Sequence, residues 1–182
     1  MHTAIGLIET ESIARGFLVS DAMVKKAPVD ILLSKTISPG KYIVLISGDV
    51  ASVQESVDVG RLVAESYLVD FLFIPQLHED VIAAIKGKFK KYSSNALGIV
   101  ETKSVASAII ALDQSLKTAE TTVIELKLGQ GLGGKGYFIL SGDLSEVEAS
   151  ISSAKGALLE GRLLNSEIIP RPHEDLSLER QL

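Results

Sequence analysis

Short apolar runs alternate with amphipathic stretches along the chain, and the same series of runs occurs twice. Residues 4–8 and 96–100 are apolar and contain a glycine, which is typical of a buried strand. A helix is predicted after each run, with Thr10 and Thr102 as N-caps. In the second copy, apolar residues follow at i, i+4, i+7 and i+11 and form one helix face: Val105, Ile109, Leu112 and Leu116.

The remainder of each copy predicts two more strands, a helix and a final strand. The predicted strands are rich in branched and aromatic residues and lie at 31–33, 42–46 and 71–74, and again at 123–128, 137–140 and about 166–169. The second helix of the later copy has a predicted apolar stripe formed by Leu144, Val147, Ile151, Ala154 and Leu158. Asp143 and Glu146 are spaced much like a capping box. Each copy therefore predicts the order β-α-β-β-α-β, in an α/β (α+β) fold.

A constant separation relates the two copies. Gly6 corresponds to Gly98, Glu9 to Glu101 and Asp21 to Asp113, in each case 92 positions later. A separation this long indicates a duplicated domain, because solenoid repeats run to about 20–50 residues. The predicted organisation is a first domain at 4–86, a linker at 87–95 and a second domain at 96–182.

Composition favours an assembled protein. The chain has 182 residues, 46% of them hydrophobic, with no Trp, and its mean hydropathy is +0.30. Domains this small bury a limited share of their surface, so we expect other chains to cover apolar surface. Neither a secretory signal nor a membrane span is predicted. The absence of cysteine excludes disulfides and thiolate metal sites, and the net charge of −5 argues against nonspecific nucleic-acid binding. The expected location is the cytoplasm.

A glycine-rich loop at 129–134 matches G-x-G-x-x-G, and together with Lys135 it nearly matches a phosphate-binding loop. Both motifs require a helix next, whose N-terminal amides hold the phosphates. A predicted strand follows instead, and Gly136 stands where Ser or Thr should bind magnesium. The equivalent residues 38–41 of the first copy carry neither motif. A nucleotide-dependent enzyme therefore stays a secondary hypothesis, which predicts nucleotide binding that is lost when Lys135 is changed.

Three further patterns have a functional and a structural interpretation. The lysines and aromatic residues of 86–95 suggest either a nucleic-acid patch or a solvated linker, and blocks of like charge favour the linker. The segments 78–80 and 173–175, both His-Glu-Asp, suggest metal ligands or acids that cap a helix. Adjacent residues do not share a helix face, which favours capping and predicts no metal site. No nucleophile with its base stands out, so no catalytic residue is predicted.

Four stretches carry a family resemblance. Residues 96–103 (ALGIVETK), 21–25 (DAMVK), 141–143 (SGD) and 169–173 (IPRPH) resemble the signature segments of bacterial microcompartment (BMC) shell proteins. The likeness recurs in order through both copies and covers nearly the whole chain. The unpermuted order, with residues 34–37, 39–41 and 133–135, is similar to the tandem-domain, trimeric T-type shell protein of propanediol-utilisation microcompartments.

The resemblance implies a structural protein rather than an enzyme. Single-domain members form hexagonal tiles, and tandem members form homotrimers that imitate the hexamer around a central pore for small molecules. The implied partners are other shell proteins and encapsulated enzymes, with no nucleic acid and no membrane. The residues implied to line the pore are Ile37, Ser38, Pro39, Gly40, Gly131, Leu132, Gly133 and Gly134. The alternative is a ligand-binding sensor built from duplicated β-α-β-β-α-β domains.

The resemblance also bears on a cofactor and on tile edges. Some T-type members hold an iron–sulfur cluster on the three-fold axis through a cysteine at the position of Ser38. Such clusters need thiolates, so no iron–sulfur cluster is expected here.

The implied tile-edge contacts are Lys25, Lys117 and Arg171. A lysine stem can lie along a neighbouring tile, and the arginine fork suits backbone carbonyls. The first copy has Gln76-Leu77 in place of the Arg-Pro that begins at Arg171.

Overall fold

The structure is a computed structural model that describes residues 4–90, 95–173 and 176. Within these residues the chain forms two four-stranded antiparallel sheets, one in each half. The elements of the first half are β1 (Ala4–Thr10), α1 (Ile13–Lys26), β2 (Asp30–Ile37), β3 (Lys41–Gly48), α2 (Val50–Ala64), a 3-10 turn (Glu65–Tyr67), β4 (Leu68–Ile74) and α3 (Glu79–Ile85). Those of the second half are β5 (Ala96–Thr102), α4 (Val105–Thr118), β6 (Thr122–Leu128), β7 (Gly136–Gly142), α5 (Leu144–Gly156) and β8 (Leu163–Pro170).

The predicted order β-α-β-β-α-β is confirmed in both halves, and the sheets have equivalent strand orders, β2-β3-β1-β4 and β6-β7-β5-β8. Gly6 faces Ile46 in the first sheet as Gly98 faces Leu140 in the second. Both glycines lie under a helix that packs closely on the sheet. A Cβ on Gly6 would lie 2.2 Å from Val57 of α2, and the equivalent atom on Gly98 would lie 2.8 Å from the side chain of Ile151 on α5.

The predicted helix caps are partly wrong. Ser12 and Ser104 are the N-caps of α1 and α4, and their hydroxyls accept the amides three residues on. The hydroxyls of Thr10 and Thr102 instead donate to the carbonyls of these two serines. Each threonine is thus the last residue of a strand, and its hydroxyl braces the turn that precedes the cap.

The expected capping box at the start of α5 is absent. Asp143 is the N-cap residue but its side chain makes no cap hydrogen bond, and it accepts from Asn95 instead. Glu146 accepts the amide of Glu120, which lies before β6. In the predicted stripe of α5, Val147, Ile151 and Ala154 are buried, whereas Leu144 is exposed.

The first half ends with the additional helix α3. His78 is its N-cap and its first turn carries Glu79 and Asp80, as the capping interpretation predicts. Phe89 packs against the core and Lys90 pairs with Asp80 at 2.8 Å. Residues 91–94 of the predicted linker lie outside the described residues, as do 174–175 and 177–182 of the predicted second domain. No helix in the described part of the chain is long and apolar enough to cross a membrane.

Each sheet has two faces with different neighbours. In the first half, α1 and α2 cover the face that carries Ile8, Val44 and Ile46. The opposite face packs against α4 of the second half, and its residues come from alternate positions of β1, β3 and β4: Ile5, Leu7, Glu9, Ile43, Leu45, Asp70, Leu72 and Ile74. We call this contact the internal seam. Because it joins one core across both halves, Val105, Ile109 and Leu112 of α4 are completely buried.

Candidate functional site

The internal seam contains a buried carboxylate at the start of α4. Glu9 is fully buried, and its Oε1 accepts a hydrogen bond from Lys41 Nζ at 2.9 Å. Its Oε2 accepts the backbone N–H of Val105, the first residue of α4, at 2.9 Å. A carboxylate stabilises the positive end of a helix dipole and satisfies an amide that has no partner within the helix. Burial raises the pKa of Glu9, and the bonds from Lys41 and Val105 oppose that rise.

A second buried carboxylate lies beside the first on the neighbouring strand. Asp70 is opposite Glu9 in the β1–β4 register. Its Oδ2 accepts hydrogen bonds from the hydroxyls of Ser104 and Ser107, and its Oδ1 accepts the amide of Phe71 at 3.0 Å. The guanidinium of Arg162, from the second half, lies 3.4 Å from the same oxygen. These donors compensate the desolvation of the charge, which is the condition for burying a carboxylate.

At the other end of α4 the carboxylate belongs to the second half and the amide donor belongs to the first half. Asp113 of the second half accepts the backbone N–H of His78 of the first half at 2.8 Å. Lys117 Nζ donates to Asp113 at 2.5 Å and to the carbonyl oxygen of Gln76. Each half therefore supplies a carboxylate to a backbone amide of the other. The predicted edge residue Lys117 lies where the internal seam reaches solvent.

The other two predicted edge residues are exposed. Lys25 bonds to Asp21 one helical turn earlier at 2.7 Å, as Lys117 bonds to Asp113. Arg171 has φ +50° and donates its backbone N–H to the carbonyl of Asn95 at 2.9 Å. Within the described residues no side-chain partner of Arg171 is found.

The two loops implied to line a pore lie against each other. Ser38 donates its backbone N–H to Gly129 O at 3.2 Å, and its Oγ accepts the N–H of Gly131 at 3.0 Å. Thr36 pairs with Tyr42 across the first loop and Leu128 with Gly136 across the second, so the second loop is two residues longer. A Cβ on Gly134, which has φ +82°, would lie 2.9 Å from Ser38 O. Glycine is required here because the loop backbones approach so closely.

Exposure differs among the predicted pore residues. Pro39, Gly40, Gly131 and Gly133 are exposed, Ser38 and Leu132 are half-buried, and Gly134 is buried. Ile37 is also buried, and its side chain packs against the backbone of Gly129 rather than facing solvent. Beside the first loop lies an open depression of about 390 Å³, lined by Ile13, Thr36, Ile37, Ser38, Pro39, Gly40 and Gln130.

The residues of these loops do not fit an iron–sulfur cluster. The chain has no cysteine, and the hydroxyl of Ser38, which would replace the thiolate, accepts an amide instead. The described residues also contain no group of three or more potential metal ligands. His78 Nδ1 accepts from the amide of Asp80, whose carboxylate pairs with Lys90. The glycine loop is followed directly by β7 and not by a helix, so it lacks the helix N-terminus that a phosphate site needs.

Comparison with known proteins assigns the family. The BMC domain model matches the chain twice, at residues 4–77 and 96–172. The chain is 41% identical over 177 residues to the bacterial microcompartment shell protein PduT of Citrobacter freundii, covering 97% of this chain and 96% of that protein. The chain belongs to the BMC-domain family of microcompartment shell proteins. It carries two BMC domains in tandem.

Solved structures agree with this assignment. A microcompartment protein from Desulfitobacterium hafniense superposes with a TM-score of 0.85 at 43% identity, over 97% of this chain and 98% of that one. The fused permuted hexameric shell protein MSM0275 gives a TM-score of 0.63 at 18% identity, over 85% and 83% of the two chains, which shows a shared fold. Because its relatives are shell proteins, the sensor alternative is not favoured.

The buried seam residues of this BMC protein were not predicted as a site. Glu9 and Asp113 stood out in the sequence only because each recurs in the other half, as Glu101 and Asp21. That recurrence was the available signal, but sequence spacing does not reveal that Glu9 meets Val105, a residue 96 positions away. Asp70 had no such signal, because Asn165 takes its place in the second half.

Proposed function

We propose that this BMC protein is a structural tile of a microcompartment shell in the bacterial cytoplasm, and that it is not an enzyme. Three chains form a ring of six domains around a central pore through which small molecules pass. One observation carries the proposal: α1 exposes the apolar face that its counterpart α4 buries.

The two helices occupy equivalent places in their halves. Phe17 of α1 corresponds to Ile109 of α4; the side chain of Phe17 is 61% exposed, whereas Ile109 is 0% exposed. Ile13 and Val24 are likewise exposed, while their counterparts Val105 and Leu116 are buried. A contiguous apolar face on a helix marks an interaction surface. The surface that covers this face on α4 belongs to the other half of the same chain, so the equivalent surface of another copy fits α1.

That equivalent surface is present on the second sheet. We call it the open sheet face, and its residues are the counterparts of the sheet residues of the internal seam: Leu97, Ile99, Glu101, Tyr137, Ile139, Asn165, Glu167 and Ile169. Leu97 and Ile139 are buried within the chain, and Ile99, Tyr137 and Ile169 pack against them and are partly buried. Each chain thus offers one α1 and one open sheet face. A contact between two different surfaces is heterologous and closes into a ring when the rotation per chain divides a full turn. Three two-domain chains reproduce the six domains of the hexagonal tiles formed by single-domain relatives.

The positions of the two glycine-containing loops support the proposal of a central pore. In the ring, the loops around Ser38 and Gly131 would surround the axis, alternating in length, which gives the opening three-fold symmetry. Without a thiolate at position 38, the proposed pore holds no iron–sulfur cluster and presents a serine hydroxyl to small polar solutes. Lys25, Lys117 and Arg171 are proposed to contact neighbouring tiles, including other shell proteins. Encapsulated enzymes are the proposed partners of the shell's inner side.

Native mass spectrometry of the purified chain tests the ring. A trimer is expected, and a monomer at every concentration would overturn the proposal.

Lys25→Ala together with Lys117→Ala tests the edge assignment by electron microscopy of assembled sheets. The Lys25–Asp21 pair is exposed and contributes about 0–1 kcal/mol, whereas Lys117 also bonds to the buried Asp113 and to Gln76 across the internal seam. The sheets should be lost in this variant, and native mass spectrometry must show that it is still a trimer before the sheets are scored. Sheets that persist would contradict the edge role of both lysines.

A further inference from the structure

We infer that the contact between chains repeats the internal seam, with Glu101 of one copy accepting the backbone N–H of Ile13 of the next copy. Asp21 of that next copy occupies the place that Asp113 has in the internal seam. The inference rests on the proposed ring and identifies the residues that close it. A second copy of this chain is the occupant of the exposed face of α1.

The internal seam provides the pattern. Glu9 accepts from Val105 at the start of α4, and Asp113 near its end accepts from His78 in the opposite direction. These two bonds are reciprocal, because the first half supplies a carboxylate to the second and the second supplies one to the first. Hydrogen bonds that involve an ionised acceptor are about twice as strong as neutral ones.

Glu101 shares the register position and the lysine partner of Glu9, but in the described part of the chain it has no amide partner and it is not buried. Glu9 lies opposite Ile43 and Asp70 in its sheet, and Glu101 lies opposite the equivalent residues Tyr137 and Asn165. Lys135 Nζ donates to Glu101 Oε1 at 2.9 Å, the same distance and the same oxygen as in the Lys41–Glu9 pair. The Oε2 atom of Glu101 has no hydrogen-bond partner among the described residues. The side chain of Glu101 is 37% exposed.

The helix that Glu101 would cap is built like α4. α1 begins at Ile13 after the N-cap Ser12, as α4 begins at Val105 after Ser104, and neither helix has an acidic residue in its first turn. Asp21 occupies the position of Asp113 and bonds through Oδ2 to Lys25, as Asp113 bonds to Lys117. In the described residues Asp21 Oδ1 accepts no hydrogen bond, whereas Asp113 Oδ1 holds the His78 amide.

Gly40 offers a further place for the neighbouring copy. The end of the Lys41 side chain lies next to its counterpart Gly134, where a Cβ would be 3.0 Å from Lys41 Nζ. Around Gly40 a Cβ would meet no described atom within 4 Å. The partner's Lys135 is the counterpart of Lys41 and would extend over Gly40 in the assembled ring.

The charges that differ between the two seams also favour a second copy. Where the internal seam has Leu72 and Ser107, the surfaces between chains have Glu167 on β8 and Arg15 on α1. Within its own chain Arg15 lies 3.4 Å from Glu65 and donates to the carbonyl of Val63, so its remaining donors are the ones that would attract Glu167 of a neighbouring copy. Contact of either surface with its own kind would bring like charges together, so the charges favour the heterologous arrangement.

A double-mutant cycle tests the Glu101–Ile13 bond in the full chain. Ile13→Pro removes the N–H at the first helical position, where proline is tolerated, and Ser12 already has the extended backbone that precedes proline. Glu101→Ala removes the acceptor. Each change should raise the concentration at which the trimer dissociates by about ten- to a hundredfold, and the double variant should be no weaker than the weaker single variant.

Two controls separate the possible failures. Glu101→Gln keeps an acceptor oxygen and should stay closer to wild type than Glu101→Ala. Glu148→Ala, an exposed glutamate on α5, should leave dissociation unchanged. Dissociation is measured by native mass spectrometry on dilution, with circular dichroism to confirm folding. A wild-type trimer that Glu101→Ala does not weaken, or additive effects in the cycle, would overturn the inference alone. A wild-type chain that never associates with itself would overturn the proposed ring.

Discussion

Glu9 and Val105 are 96 residues apart in sequence, and the buried carboxylate of the first accepts the backbone N–H of the second at 2.9 Å. The bond joins a strand of one BMC domain to the first turn of a helix in the other. Lys41 holds the second oxygen of the same carboxylate. One ionisable group therefore links the two halves, and its protonation depends on the internal seam being closed.

The stability of the chain should depend on pH through Glu9. Burial raises its pKa above the ordinary value of 4.5, so the folded state binds this proton more tightly than the unfolded chain does. The contribution to the free energy of unfolding is then fully present below pH 4.5 and is lost as pH rises through the raised pKa. Glu9→Gln should remove this component, and chemical denaturation at several pH values measures it.

Matched protein concentrations are needed in that experiment, because assembly adds to the apparent stability. Glu148→Gln serves as the control at an exposed position and should keep the wild-type pH profile. Identical profiles for wild type and Glu9→Gln would contradict the prediction.

Asp70→Ala should destabilise the fold by about 2–4 kcal/mol. The change removes the acceptor of the Ser104 and Ser107 hydroxyls and leaves the nearby guanidinium of Arg162 without its carboxylate. Asp58→Ala is the matched control, because Asp58 is exposed and lies 3.8 Å from Arg61. It should change the free energy of unfolding by less than about 1 kcal/mol. Equal denaturation midpoints for the two variants would show that Asp70 is not needed at the seam.

Gly98→Ala and Gly156→Ala should act in opposite directions. A Cβ on Gly98 would lie 2.8 Å from Ile151 and from Val147, so alanine forces α5 away from β5 at a cost of about 1–3 kcal/mol. Gly156 ends α5, and no described atom lies within 4 Å of a new Cβ there. Alanine there should stabilise by about 0.4–1 kcal/mol, since it restricts the unfolded chain. Thermal unfolding of both variants gives the two signs, and a stable Gly98→Ala would mean that α5 moves without strain.

Tyr137 should ionise well above the ordinary pKa of a tyrosine, which is about 10. Partial burial and a 3.0 Å hydrogen bond to Glu125 raise its pKa to about 12. Glu125→Gln removes the carboxylate that disfavours the tyrosinate and should lower this pKa towards 10. An ultraviolet titration follows tyrosinate formation, and Tyr137→Phe identifies the transition that belongs to Tyr137. A transition that Glu125→Gln leaves in place would exclude the charge of Glu125 as a cause.

The sequence predicted the parts of the fold that depend on local pattern. Apolar periodicity located α4 and its buried face. Because the sequence repeats, each strand or helix predicted in one half was also expected at the equivalent position of the other half. The prediction of the helix N-caps was wrong because Thr10 and Ser12 both lie close to the start of α1. Only the geometry of the turn decides which of the two hydroxyls faces the first amides of the helix. The resemblance places Ile37 among the pore-lining residues, whereas the structure buries its side chain against Gly129 of the other half. Contacts made by tertiary packing leave no local signal in the sequence.

In the hydrogen bond between Ser38 and Gly131 the two halves have different roles. One half contributes the side chain and the other contributes the backbone donor that orients it. In an assembly of identical single domains, any substitution at this position would occur in every domain, and its orienting partner would change with it. Fusion of two domains frees one copy to vary while the other keeps the scaffold constant. The duplicated chain can therefore acquire new chemistry at position 38 without rebuilding the loop that supports it.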